Sequence, residues 1–170
     1  MNITDLIEAA AQQGKNKLNN SRGIFEWKIQ SLRECPLPGD LAMCDEPGKA
    51  AAYWRAHVAT SDGFNPEVEC LVVLLLNSRR RVKGHVLIST GTMDQILCHA
   101  REVFRAAVIG SAHSLLLMHN HPSGDCQPSD SDIRMTRDLR RAGEILKIEL
   151  VDHVIIGAVD HCSLKQLGLI

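Results

Sequence analysis

Two short apolar runs limit what this chain can fold into more than any other feature. One covers residues 69–76, ECLVVLLL, and the other residues 115–118, LLLM. Neither alternates polar with apolar side chains, so neither suits a strand with one face in water; both read as strands covered on both faces. Around them the pattern keeps changing period. Residues 77–81 read as a hairpin turn and 82–89 as the partner strand of the first run. Residues 100–109 have helical spacing, with Val103, Phe104, Ala107 and Val108 apolar. Met135, Leu139, Ala142 and Leu146 recur at steps of four, three and four, which makes 130–146 an amphipathic helix with its arginines outward. Residues 148–156 read as another strand and 163–170 as a short closing strand or turn. The expected fold is therefore α/β (α+β), a mixed β-sheet flanked by helices, over residues 66–170.

Residues 1–65 read as an N-terminal extension. Asn2 and Thr4 are candidate caps for a short helix through Leu6, Ile7, Ala10 and Ala11. Phe25, Trp27 and Ile29 alternate within 24–32, as in an edge strand or an arm. Pro47 suits the first turn of a helix carrying Ala51, Tyr53, Trp54 and Val58 to about Thr60. With 170 residues, 45% of them hydrophobic, the chain can build one domain with a real core.

Charge and cysteine usage narrow the partners. Lys and Arg number 19 against 20 Asp and Glu, so no bulk field draws the chain to nucleic acid or to an acidic membrane. No apolar run approaches the roughly 18 residues of a membrane-spanning helix. Six cysteines (Cys35, Cys44, Cys70, Cys98, Cys126, Cys162) form no CxxC pair, and Asp5 and Glu8 interrupt the first apolar stretch. This reads as a cytoplasmic protein with reduced thiols.

The chemistry gathers where the second apolar run ends. His119 and His121 lie two positions apart, and on a strand such residues point the same way. Pro122, Gly124 and Pro128 then break regular structure, and Ser129 to Asp132 open the next helix. Two imidazoles and one carboxylate are three protein ligands for Zn2+ with one position left for water, the layout of a catalytic zinc site. Water bound there loses a proton near neutral pH, and a carboxylate that is not a ligand is then wanted as proton shuttle. Glu69, opening the first apolar run, fills that role. Ser129 suits two tasks, donating to an oxyanion or capping the helix. Asp152 and His153 suggest a second metal or a dyad, but as neighbours on a strand they point to opposite faces, so they read as structural or as support behind the ligands. His57, His85, His99, His113 and His161 carry no spacing signal. Arg79, Arg80 and Arg81 read as a solvated turn, with phosphate contact as the alternative.

Residues 119–132, HNHPSGDCQPSDSD, resemble the JAMM (MPN-plus) zinc metallopeptidase motif, in particular its RadC-like bacterial branch. Flanking segments extend the resemblance: Glu69-Cys70-Leu71, Gly91-Thr92, Arg101-Glu102-Val103-Phe104, Thr136, Ala142-Gly143 and the DHVIIG segment at 152–157. It covers about residues 66–170. The resemblance implies a cytidine-deaminase-like architecture, zinc held by His119, His121 and Asp132, Glu69 as base and Ser129 as assisting hydroxyl. The implied reaction is hydrolysis of a peptide, isopeptide or other amide bond, with a peptide or protein as substrate. Longer RadC proteins carry a helix-hairpin-helix region before this domain, which residues 1–65 do not resemble; those residues suit a dimer arm or a lid over the site. Cys126 stands where proline is common in the family, and is expected to be a partly exposed loop cysteine rather than a fourth ligand. The alternative is a DNA-associated repair or mobile-element protein whose metal is structural or acts on phosphodiesters. Its support is Arg79 to Arg81 and the arginines of the 134–141 segment.

Overall fold

A computed structural model describes residues 43–93 and 98–170. The helix expected near the N-terminus and the strand or arm at 24–32 lie outside the described residues. Helix α1 (Pro47–Tyr53) starts with its proline in the first turn and widens into a π-type turn at Trp54–Val58, where the Ala59 N–H donates to Trp54 O at 2.9 Å. Strands β1 (Cys70–Leu76) and β2 (Val82–Thr90) follow, then helix α2 (Ala100–Ile109), strand β3 (Ser114–Asn120), helix α3 (Asp130–Leu146) and strands β4 (Glu149–Ile156) and β5 (His161–Ser163). The tail thus forms its strand slightly ahead of the expected 163–170.

The five strands make one mixed sheet in the order β2-β1-β3-β4-β5. β3 and β4 are parallel, joined by α3 as the crossover a parallel pair needs, and every other neighbouring pair is antiparallel. The two apolar runs sit side by side in the middle, and every residue of β1 and β3 is buried.

Each face of the sheet has its own cover. Val72, Leu74 and Leu76 of β1, with Leu116 and Met118 of β3, pack against Ala50, Ala51, Tyr53, Trp54 and Val58 from the first helical segment. The core thus draws on residues ahead of 66. On the other face Leu71, Val73, Leu115 and Leu117 pack against Val103, Phe104 and Ala107 of α2 and Leu139 of α3. A fully buried leucine in such a layer stabilises by about 1.5–3 kcal/mol. Among the described residues no helix is long and apolar enough to cross a membrane. At the β1–β2 turn Arg80 takes a left-handed conformation (φ 57°) and reaches Glu149 at 3.7 Å.

Helix α3 turns inward a different row from the one its apolar spacing suggests. The buried residues are Asp132, Thr136, Leu139 and Gly143, whereas Leu146 is 47% exposed. Gly143 is needed there because a Cβ would stand 2.5 Å from the Ile148 carbonyl oxygen. The two polar members of the row belong to the site described next.

Candidate metal centre

β3 carries His119 on the α2/α3 face, the same face as Leu115 and Leu117, and the ring is fully buried. His121 lies one residue past the strand end, yet its N–H still donates to Ile156 O at 3.0 Å, so the sheet holds its backbone in place. Asp132 comes from the first turn of α3. The three side chains meet: His119 Nε2 and His121 Nε2 are 2.9 Å apart, His119 Nε2 lies 3.3 Å from Asp132 Oδ1, and His121 Nε2 lies 3.6 Å from Oδ2. Ligand atoms about 2.0–2.1 Å from a tetrahedral zinc are separated by about 3.3–3.4 Å. The observed spacings bracket that value, and two imidazoles with one carboxylate are a donor set zinc accepts.

The charges divide unequally. Burial pushes His119 down to about 4, against the pull of Asp132. His121 goes the other way, raised mainly by its hydrogen bond with Asp132 despite partial burial. Burial also pushes the Asp132 carboxyl up, but hydrogen bonds from His121 and Ser129 and the charge of His119 outweigh it and hold the group well below the usual carboxylate range. Asp132 is therefore an anion near neutral pH and His119 is neutral, while His121 binds its proton more tightly than an ordinary imidazole, a proton that a divalent cation would have to displace.

Ser129 caps α3. Its Oγ accepts from the Asp132 N–H at 3.2 Å and donates to Asp132 Oδ2 at 2.5 Å, while the Ser129 N–H donates to the same Oδ2 at 2.8 Å. The capping box thus fixes the carboxylate that faces the histidines. Both tasks of Asp132 follow from one position: the third residue of a helix reaches back to the cap, and here the cap lies beside the strand end.

Glu69 is buried and immediately precedes β1; its backbone pairs with Gly91 and Thr92. Leu71 is the register partner of His119, so the antiparallel ladder, continued by two residues, sets Glu69 opposite His121 on the site's face of the sheet. Its charge contributes to the raised pKa of His121. Asn120, to which the sequence alone gives no role, points to the other face and clamps both neighbours of Glu69. Its Oδ1 accepts from the Cys70 N–H at 2.9 Å and its Nδ2–H donates to Val68 O at 3.0 Å. The only signal for it was its place between the two histidines, where alternation sends it to the opposite face.

Two further pairs behave differently from one another. Asp152 and His153 do face opposite sides: Asp152 accepts from the His153 N–H, the Lys165 N–H and Ser163 Oγ, whereas the His153 ring lies against His119. Cys126 requires a correction. It is buried and disulfide-bonded to Cys162 of β5, 36 residues away, with a Cα–Cα distance of 5.5 Å that suits the bond. The reduced-thiol expectation fails for this pair and holds for Cys44, Cys70 and Cys98, which are free. The turn after β4 folds back under the loop and joins the two cysteines, which no local spacing could reveal. Cys126 is accordingly neither an exposed thiol nor a fourth ligand. Nearby, His121 Nδ1–H donates to Asp125 O at 2.7 Å, which leaves Nε2 turned toward Asp132. A cavity of about 490 Å³ lies elsewhere, lined by His113, Gly143, Leu150 and Lys165 among others, and no ligand atom borders it.

Comparison with known proteins finds matches over most of the chain. A family model described as the RadC-like JAB domain matches residues 44–169. A UPF0758 protein of Chlorobaculum parvum is 46% identical over 102 residues, 60% of this chain and 46% of the relative. A UPF0758 protein of Thermosynechococcus vestitus is 38% identical over 130 residues, 76% of this chain and 50% of the relative. One from Syntrophomonas wolfei is 55% identical over 83 residues, 49% of this chain and 35% of the relative. The chain spans half or less of the length of these relatives.

Proposed function

Since the chain belongs to the RadC-like JAB domain family, we propose that it is a zinc-dependent hydrolase of peptide, isopeptide or other amide bonds, with His119, His121 and Asp132 holding the metal. The observation that carries the proposal is the convergence of two imidazole Nε2 atoms and one carboxylate within 4.8 Å of one another, from the end of β3 and the first turn of the helix that follows it. Zinc at this point supplies Lewis acidity toward a carbonyl oxygen and toward a water molecule. Glu69 is assigned the proton transfers: it takes the proton from the attacking water and returns it to the leaving nitrogen. Its place on the site's face of the sheet, opposite His121, favours the task, because a general base must lie within reach of the water that it deprotonates. Ser129 steadies Asp132, and donation to a substrate oxyanion requires its hydroxyl to leave that carboxylate.

The test is metal analysis of purified wild type, His121→Ala and Glu69→Gln, joined to cleavage of fluorogenic peptide and lysine-linked isopeptide substrates. Wild type carries one zinc per chain, His121→Ala loses it, and Glu69→Gln keeps the metal while losing cleavage. Iron in place of zinc redirects the proposal to redox chemistry, since two histidines and a carboxylate also suit that metal. A Glu69→Gln protein that cleaves as wild type removes Glu69 from the mechanism.

A further inference from the structure

Behind the ligand atoms runs a hydrogen-bonded path sealed from solvent. His119 Nδ1 lies 2.8 Å from His153 Nε2, His153 Nδ1 lies 2.6 Å from Thr136 Oγ1, and Thr136 Oγ1 lies 2.5 Å from the backbone carbonyl oxygen of Asp132. His119, His153 and Thr136 are all at 0% exposure. The path leaves one ligand, crosses β4 and α3, and returns to the backbone of another.

A neutral imidazole donates from one nitrogen and accepts at the other, so the two rings alone admit two opposite proton orders. The carbonyl end decides between them. A carbonyl oxygen only accepts, and two oxygens at 2.5 Å need a proton between them, so the single hydroxyl proton of Thr136 goes to Asp132 O. Thr136 Oγ1 must then accept from His153, which places a proton on His153 Nδ1. His153 Nε2 is left with its lone pair and accepts from His119 Nδ1–H. His119 Nε2, the last atom of the series, is bare, and it is the atom that faces His121 Nε2 and Asp132 Oδ1.

We propose that Thr136 and His153 are positioning residues that set the tautomer of His119 from the protein interior, so that its Nε2 lone pair is presented to a divalent cation. Nothing here depends on the reaction assigned above; it rests only on the part of that proposal that makes His119 a metal ligand. The reverse order, with Thr136 donating to His153, would protonate His119 Nε2 and close the position to metal. Partners of this kind usually influence metal affinity by about 10–100-fold.

Two measurements test the proposal. The first is long-range proton–nitrogen correlation NMR of the metal-free wild type with labelled histidine, which reads the protonated nitrogen of each ring. Nδ1–H is expected on both His119 and His153, and Nε2–H on His119 overturns the proposal whatever the variants do. The second is zinc affinity, by competition with a chelating indicator, for Thr136→Val and Thr136→Ser. Valine keeps the shape of threonine without its hydroxyl, and serine keeps the hydroxyl with less volume. A proton-ordering role makes valine about 10–100-fold weaker in zinc binding while serine binds as wild type. A packing role predicts the opposite ranking and refutes the proposal. Zinc binding that follows the hydroxyl in a protein that cleaves no amide would sustain this inference while removing the reaction.

Discussion

Gly157 follows β4, and the loop between the two ligand-bearing elements rests on it. A Cβ at this position would stand 2.5 Å from the Gly124 carbonyl oxygen, 3.2 Å from the Cys126 nitrogen and 3.3 Å from Cys126 Cβ. Two of the three are backbone atoms and the third is disulfide-linked, so no rotamer change relieves them. Gly157 has no positive φ, which makes the effect of Gly157→Ala steric rather than conformational. Relaxed contacts lie at about 3.5 Å, so the loop must retreat by about 1 Å.

That retreat strains the bond from the Ala158 N–H to Gly124 O, now 3.0 Å, and draws on Asp125, whose carbonyl orients His121. Overpacking of this kind costs about 1–3 kcal/mol, and a lost hydrogen bond adds about 1 kcal/mol. The expected loss of stability is therefore about 2–4 kcal/mol, read as a lower midpoint in urea for the metal-free protein. Zinc affinity should fall as well, tenfold for each 1.4 kcal/mol of distortion that binding has to reverse. Gly48→Ala is the control: nothing lies within 4 Å of its added carbon in α1, and it should gain up to about 1 kcal/mol. A Gly157→Ala protein with wild-type urea midpoint and zinc affinity would show that the ligand loop does not depend on the β4–β5 turn.

Two predictions concern pH. Burial pushes His119 from 6.5 down to about 4, and His153 moves the same way, so the unfolded chain takes up these protons first. Stability of the metal-free protein should fall as pH drops from 6.5 to about 4, by about 3 kcal/mol from His119 alone, while the raised His121 acts only above 6.5; urea midpoints that stay level across that window contradict this. His121 releases its proton less readily than an ordinary imidazole, chiefly because of Asp132. Apparent zinc affinity should accordingly drop about tenfold per pH unit below the raised pKa and level off above it, and a slope of zero between about pH 6 and 8 would remove His121 as a ligand.

What was legible in the sequence, and what was not, divides along one physical line. Apolar runs report burial directly, so β1, β3 and the layers on either side of them could be read from 69–76 and 115–118. The ligand residues were legible because their spacing is local, on one strand end and one helix start. Contacts between polar groups distant in sequence leave no such trace. Asn120 clamps residues about fifty positions earlier, Cys126 finds Cys162 across 36 residues, and Thr136 meets His153 from another element.

Helix α3 shows why this matters for the site. Its apolar spacing favours 135, 139, 142 and 146, but the row that faces the sheet begins with Asp132 and Thr136. Buried polar side chains are tolerated where their hydrogen bonds are satisfied, and each of these has its partners in the cap or in the path through His153. An apolar count passes over them and centres the inward face on 135, 139 and 142, of which Met135 and Ala142 pack only partly buried against the core. The helix departs from its apolar pattern at the two positions where the candidate site needs polar groups inside, so the misread face is itself a marker of where the chemistry lies.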